Sequence, residues 1–238
     1  MTPAEKIERI KSLLPTTLGS AEIRDRIAAD ILARSVFSAR MASEIYLDEI
    51  RDVCAEVVAG RLSTAQARER LLRTLEAMGH SPQDEGGLEN PASLRRLNLI
   101  VDTQADMAAS VARILSQTPG TLEDFPAWEL TRFEGRRQPR KDWRARWTLA
   151  GQSVGWAGAL PMTPGGRMVA LKSSPIWQAL GDGAGGFRDT LGNPYPPFAF
   201  SSGMDWLDVS REEAERLGLK IPESQTIEVP AFSPEEVA

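Results

Sequence analysis

The sequence predicts an α+β chain, with a helical N-terminal half followed by a compact, irregular α+β unit rich in aromatics, glycine and proline. Three observations carry this. Only Phe37 and Tyr46, of fifteen aromatic residues, precede residue 125, and all six tryptophans follow it. Thirteen of nineteen glycines and eleven of sixteen prolines lie after Gly120, so turns concentrate in the second half. The first half is instead rich in Ala, Leu and Arg, with apolar residues spaced to follow the helical repeat. Residues 1–90 are therefore read as a helical region and 91–222 as the main body. Residues 223–238 read as an acidic mobile tail.

The spacing predicts a first helix from about residue 20 to residue 58, through Ile23, Ile27, Ile31, Met41, Ile45, Ile50, Val53 and Val57, with Gly60 as its stop. At 1.5 Å per residue its roughly 39 residues would span about 58 Å, so it breaks or projects. The apolar stripe thins between Ser35 and Ala42, where a bend is expected. Ser63 followed by Gln66 has the form of a capping box and opens a second helix. Its apolar face is Ala67, Leu71, Leu75 and Met78, and Gly79 ends it. Residues 80–91 read as a loop. A third helix spans about 92–116, with Leu94, Leu97, Val101, Ala105, Ala108, Val111, Ala112 and Leu115 on one face and Thr118, Pro119 and Gly120 as its terminator.

In the second half, residues 128–133 alternate large apolar and polar side chains, as in a half-buried strand. Residues 167–171 suggest a second strand, and 175–180 a helical turn. Ser210 with Glu213 forms a second capping-box pattern, opening a short helix that Gly218 stops.

Composition narrows function by exclusion. The 238 residues carry 28 Lys and Arg against 33 Asp and Glu, a net charge of −5 that argues against a broad DNA-coating surface. Cys54 and His80 are each alone, which excludes an internal disulfide and a Cys/His zinc site. A Ser-His-Asp triad would require His80 as its base. No run reaches the 18 apolar residues of a membrane helix, and residues 1–10 are charged where a signal peptide would be apolar.

The most unusual local chemistry lies between Arg132 and Trp147. Seven cations, among them Arg136, Arg137, Arg140, Lys141, Arg144 and Arg146, face two anions, Glu134 and Asp142, with Phe133, Trp143 and Trp147 interleaved. Guanidinium groups pair with phosphate and aromatics stack on bases, so this segment is a candidate nucleic-acid or partner-binding face. The same residues also suit pairing with the protein's own carboxylates and covering of its tryptophans. Asp102 with Asp106, and Asp205 with Asp208, are spaced for shared helical or local placement, which suits solubility and capping as well as acid/base work. Asp102 could alternatively pair with an Arg of the second half. Residues 181–186 are glycine-rich but lack the Gly-Lys-Ser/Thr of a phosphate loop. Pro194, Tyr195, Phe198, Phe200 and Trp206 form a Pro/aromatic strip that reads as a structural clasp over helices, or else as a partner-binding strip.

Three segments in this order resemble the Mu F-like phage head morphogenesis (minor head protein) family, over about residues 90–220. The first is Leu94-Arg-Arg-Leu-Asn-Leu-Ile-Val-Asp-Thr103, continuing to Met107, Ala108 and Arg113. The second is Trp128-Glu-Leu-Thr-Arg-Phe133 with the basic stretch to Trp147 and Gly151. The third is Leu191-Gly-Asn-Pro-Tyr-Pro-Pro-Phe-Ala-Phe-Ser-Ser-Gly-Met-Asp-Trp206 and the short helix pattern after Asp208. Two positions depart from the family pattern. Asp142 and Trp143 stand where many members carry a His, and Met204, Asp205 and Trp206 stand where many carry Cys-x-Cys, so no Cys- or His-dependent property is implied.

The resemblance implies a few-copy virion component near the portal, linked to head assembly and DNA packaging or ejection; since no motif supplies a nucleophile with its base, a non-enzymatic role without a cofactor or metal is expected. Its expected partners are portal or capsid proteins and packaged duplex DNA. Its expected place is the virion head, and the host cytoplasm during assembly. Two other readings stand beside it. One is a small hydrolase or transferase using carboxylates such as Asp142 or Asp205; the other is a standalone nucleic-acid-binding protein.

Overall fold

The computed structural model describes residues 12–18, 22–23, 26–27, 35–36, 38, 41–80, 93–133, 141–163 and 165–227. These form two units that divide between Ala112 and Arg113. The boundary expected near residue 90 thus falls later, because most of the helix that begins at Leu94 packs with the first unit.

In that unit, two short strands, β1 (Ser12–Leu13) and β2 (Ser35–Val36), pair in parallel. The continuous helix expected from residue 20 does not form, since Ser35 and Val36 are in a strand and Met41 bridges to Thr16. The break coincides with the thinning of the apolar stripe. Helix α1 (Glu44–Val58) begins only after it, capped by Ser43, whose side chain accepts from Tyr46 N. Helix α2 (Thr64–Ala77) carries the Ser63/Gln66 capping box read from the sequence. Helix α3 (Leu94–Leu115) completes the unit. Tyr46, Leu47, Ile50 and Val53 of α1 meet Ala67, Leu71 and Leu75 of α2 and Leu97 and Val101 of α3 in one core. Cys54 belongs to this core, as a small apolar side chain. Met78 is 38% exposed and Ile45 74% exposed, so neither serves the core face to which their spacing assigned them.

The second unit is built on a three-stranded antiparallel sheet. Strand β3 (Ala127–Arg132) lies between β4 (Met168–Leu171) and β5 (Met204–Val209). Thr118 and Pro119, expected to end α3, instead open another helix, α4 (Pro119–Asp124). The reason is that Thr118 caps it and Pro occupies its first turn, where no amide donor is needed. Helices α5 (Trp143–Ser153), α6 (Ile176–Gly181) and α7 (Arg211–Arg216) follow.

Both sheet faces are covered. Ala127, Val169, Leu171 and Val209 pack against Ala214 and Leu219 on one side. On the other, Trp128 stacks on Trp206 with ring centroids 3.7 Å apart and planes 11° apart. Trp177 of α6 meets both rings edge-on and also lies near Trp147 of α5 and Phe198. The end of α6 approaches the Pro/aromatic strip so closely that a Cβ on Gly181 would lie 2.0 Å from the Asn193 carbonyl oxygen. Only glycine fits there.

Ser210 caps α7 as its sequence suggests, accepting from Glu213 N. The Glu213 carboxylate, however, turns to Arg167, 2.6 Å away, because a charge-assisted bond outweighs a neutral one to the cap amide. Arg167 also binds Glu129, and its hydrogen bond holds the Glu213 carboxyl below the usual value. Of the tail beyond residue 222, residues 228–238 lie outside the described residues. Gln225 is tied down, donating to Pro126 O and accepting from Ser173 Oγ.

Candidate functional site

The arginine-rich segment continues into α5, so its last residues are helical. Asp142 occupies the position before the helix and Arg146 lies one turn later. That spacing brings Asp142 Oδ2 within 2.8 Å of Arg146 Nη2 and 3.0 Å of its Nε. Asp189 approaches the same Nη2 at 2.9 Å. The guanidinium sits over the Phe187 ring at 4.1 Å and near Trp143 at 5.1 Å. Arg146 is only 5% exposed. A buried guanidinium requires anionic partners, and two carboxylates supply them. Arg146 is thus withdrawn from the predicted contact face and belongs to the protein's own packing.

Lys141 and Arg144 remain exposed, while Arg136, Arg137 and Arg140 lie outside the described residues. Three buried atoms around Arg146 have no partner among the described residues: Asp142 Oδ1, Trp143 Nε1 and Arg146 Nη1. Arg146→Ala is expected to lower stability by about 1–3 kcal/mol through lost ion pairs and stacked stem. Arg144→Ala is expected to change it by less than about 0.5 kcal/mol. Urea melts of the two variants check this; equal losses would return Arg146 to the surface.

A second charged cluster was not visible in the sequence as a cluster. Asp205 and Asp208, read only as a closely spaced pair, each hold a separate cation. Arg113, in the last turn of α3, donates through Nη1 to Asp205 Oδ1 at 3.1 Å and to Trp206 O at 2.8 Å, and through Nη2 to Asp205 Oδ2. Lys172, just after β4, lies 2.7 Å from Asp208 Oδ1 and donates to Gln117 Oε1 at 2.8 Å. Its Nζ is 5.2 Å from the Trp128 ring, whose own Nε1 donates to Asp208. Burial lowers the Lys172 pKa from its ordinary value, with Asp208 opposing the shift and Arg113 adding to it. Lys172 follows four buried strand residues, which is the signal that its side chain continues inward. Arg113 and Asp189 carry no comparable local signal, because their partners are distant in sequence.

This geometry bears on the candidate acids. Asp142 is held by Arg146 and Asp205 by Arg113, so both act as counter-ions to a guanidinium. Asp102 lies 3.8 Å from Arg68 of α2, within the first unit. His80 follows α2, with its amide donating to Leu75 O in the turn that closes the helix. Among the described residues, no group of three His, Cys, Asp or Glu side chains could hold a metal ion. No described helix is long and apolar enough to cross a membrane.

The Pro/aromatic strip separates into two parts. Tyr195 and Phe198 are buried completely, and Pro194 and Phe200 are half-buried. Hydrogen bonds fold the segment on itself, with Leu191 N donating to Phe198 O at 2.9 Å and the Ser202 side-chain Oγ to Pro197 O at 2.6 Å. Trp206 is not part of an irregular strip. It belongs to β5, paired with Leu130 of β3, because the alternation of residues 204–209 satisfies a ladder once β3 is beside it. No family model, curated protein or solved structure matches this chain.

Proposed function

We propose that this protein is a minor head protein of a phage or prophage that acts by contact with portal or capsid proteins, without turnover. The observation that carries this reading is how the three resembling segments meet. Arg113 of the first binds Asp205 and the Trp206 carbonyl of the third, 92 and 93 positions away. Trp128 of the second stacks on Trp206, and β3 pairs with β5 over six residues. The end of the first segment and the other two segments thus meet within one unit, as parts of a single module should.

In this role the paired charges stiffen a body. Arg146, Arg167, Lys172 and Arg113 each cross-link elements through carboxylates far away in sequence. A pre-organised surface loses less freedom on docking, which favours contact. The exposed face proposed to meet partners includes Lys141 and Arg144, with Arg136, Arg137 and Arg140 adjoining them in sequence. Packaged duplex DNA would meet these residues through its phosphates, independently of sequence.

Mass spectrometry of purified particles and inspection of the flanking genes test the proposal. The expected result is a few copies per head and a gene beside those for portal and capsid. Absence from particles, with the gene inside a metabolic operon, would sink it.

A further inference from the structure

We infer that Arg113 and Asp205 form a latch on the open edge of the second unit's sheet, and that this latch keeps β5 from pairing with the β5 of a second copy of the chain. Among the described residues the sheet runs β4-β3-β5, so β4 and β5 are its two edges. They are finished differently. Along β4 the backbone continues the ladder, with Leu160 N donating to Val169 O at 3.0 Å and Leu171 N to Gly158 O at 2.7 Å. Beyond β5 no described strand follows. The phase of its ladder fixes which groups are left over. Phe133 N donates to Gly203 O at 3.0 Å, which makes theirs a hydrogen-bonded pair. Bonded and non-bonded pairs alternate in an antiparallel ladder. Residues 205, 207 and 209 therefore turn their amides and carbonyls to β3, while Met204, Trp206 and Asp208 turn theirs to the open edge.

Side chains occupy the centre of that edge. Trp206 N donates to Asp205 Oδ1 at 2.7 Å, and Trp206 O accepts from Arg113 Nη1 at 2.8 Å. Arg113 also holds Asp205 through both terminal nitrogens, so the two side chains close on each other across the backbone of Trp206. At the start of the strand, Met204 N donates to Ser202 Oγ at 3.1 Å. An edge strand with free N–H and C=O groups is a template for another chain. The partner follows from the geometry. Antiparallel pairing about a two-fold axis at Trp206 sets its N–H and C=O against the C=O and N–H of its copy, the bond pattern this strand already makes with β3. Leu207, 49% exposed, adds apolar area beside that axis. Asp205 and Arg113 occupy those same two backbone groups of Trp206, so the latch and strand pairing exclude each other. Both latch side chains are partly exposed, at 35% for Arg113 and 32% for Asp205, so they can leave the edge without opening the core. The inference stands independently of the phage assignment.

The test is sedimentation of the full 238-residue chain across a concentration series, beside Arg113→Met and Asp205→Ala. Arg113→Met keeps the apolar stem and frees the Trp206 carbonyl. Asp205→Ala frees the Trp206 amide and removes the anion that holds Arg113. The wild type is expected to remain monomeric and each variant to approach twice its mass. Association of the variants should be tighter by about tenfold or more, the scale of two backbone hydrogen bonds gained across the axis. Leu207→Lys added to either variant should restore the monomer, because lysine on an edge strand opposes pairing. A nitroxide on Leu207→Cys reads the geometry, since Cys54 is the only other cysteine and is buried. Dipolar broadening is expected with Arg113→Met and not in the otherwise wild-type chain. Circular dichroism checks that each variant is folded. Wild-type association as tight as that of the variants overturns the inference, as do folded variants that stay monomeric and dimers without broadening. Loss of the fold in both variants also overturns it, because the pair would then support the fold rather than guard an edge.

Discussion

Asp208→Ala is expected to cost about 3–5 kcal/mol of stability, the scale of stranding one member of a buried ion pair. The Lys172 side chain is 1% exposed and depends on Asp208 at 2.7 Å and Gln117 at 2.8 Å. Removing the carboxylate leaves the ammonium with one neutral acceptor and also deprives Trp128 Nε1 of its partner. Lys172→Met should behave differently, changing stability by less than about 1 kcal/mol. Asp208 is half-exposed, so water can replace the lysine, and it still accepts from Trp128.

The pH dependence follows from the lowered pKa of Lys172. In the alkaline window between the folded value and the ordinary lysine value, the unfolded chain holds a proton that the folded chain has lost. Wild-type stability should therefore rise with pH there, and Lys172→Met should remove that slope. Urea unfolding at several pH values, followed by tryptophan fluorescence, measures both effects. Equal losses for Asp208→Ala and Lys172→Met would show that the pair is not buried as described.

Trp206→Ala should cost a similar amount, about 3–5 kcal/mol, by opening a cavity in the aromatic core. Its ring stacks on Trp128 and meets Trp177 and Phe198 edge-on, with centroids 5.5 and 6.0 Å away. The adjacent Leu207 points to the opposite face and is 49% exposed, so Leu207→Ala should change stability by only about 0.5 kcal/mol. A double-mutant cycle of Trp206→Ala with Trp128→Ala should show a coupling of about 0.5–1.5 kcal/mol for the stacked pair. The near-ultraviolet circular dichroism of the tryptophan cluster should collapse in Trp206→Ala and persist in Leu207→Ala. An unchanged aromatic spectrum in Trp206→Ala would refute the stacked arrangement.

Local chemistry was legible wherever its partners are near in sequence. Ser63 and Gln66 are three residues apart, and their mutual capping follows from that spacing alone. Ser210 and the amide of Glu213 behave likewise. Strand β3 was visible because its alternation is strict over residues 128–133. Strand β5 was not, since its first residues read as the end of a proline-rich strip and only β3 gives them a ladder. Helix α5 was hidden by its charge: Arg144 and Arg146 suggested a surface stretch, although Trp143, Arg146, Trp147 and Ala150 line a buried side.

The candidate site divides along the same line. By itself the sequence determined the α+β class, the placement of every tryptophan in the second half, the capped helices and the local excess of arginine. These depend on composition, periodicity and contacts within one turn. Only the tertiary structure decided the fate of individual charges. Arg146 became internal because Asp189, 43 positions away, closes its cage. Asp205 and Asp208 became counter-ions because Arg113 and Lys172 arrive from α3 and from the end of β4. Ile45 fell outside the core because it lies on the arc of α1 away from Tyr46, Leu47, Ile50 and Val53, which a spacing of apolar residues alone does not reveal. Whether a charged or apolar side chain is buried depends on what the rest of the chain brings to it, and desolvation makes that partner decisive.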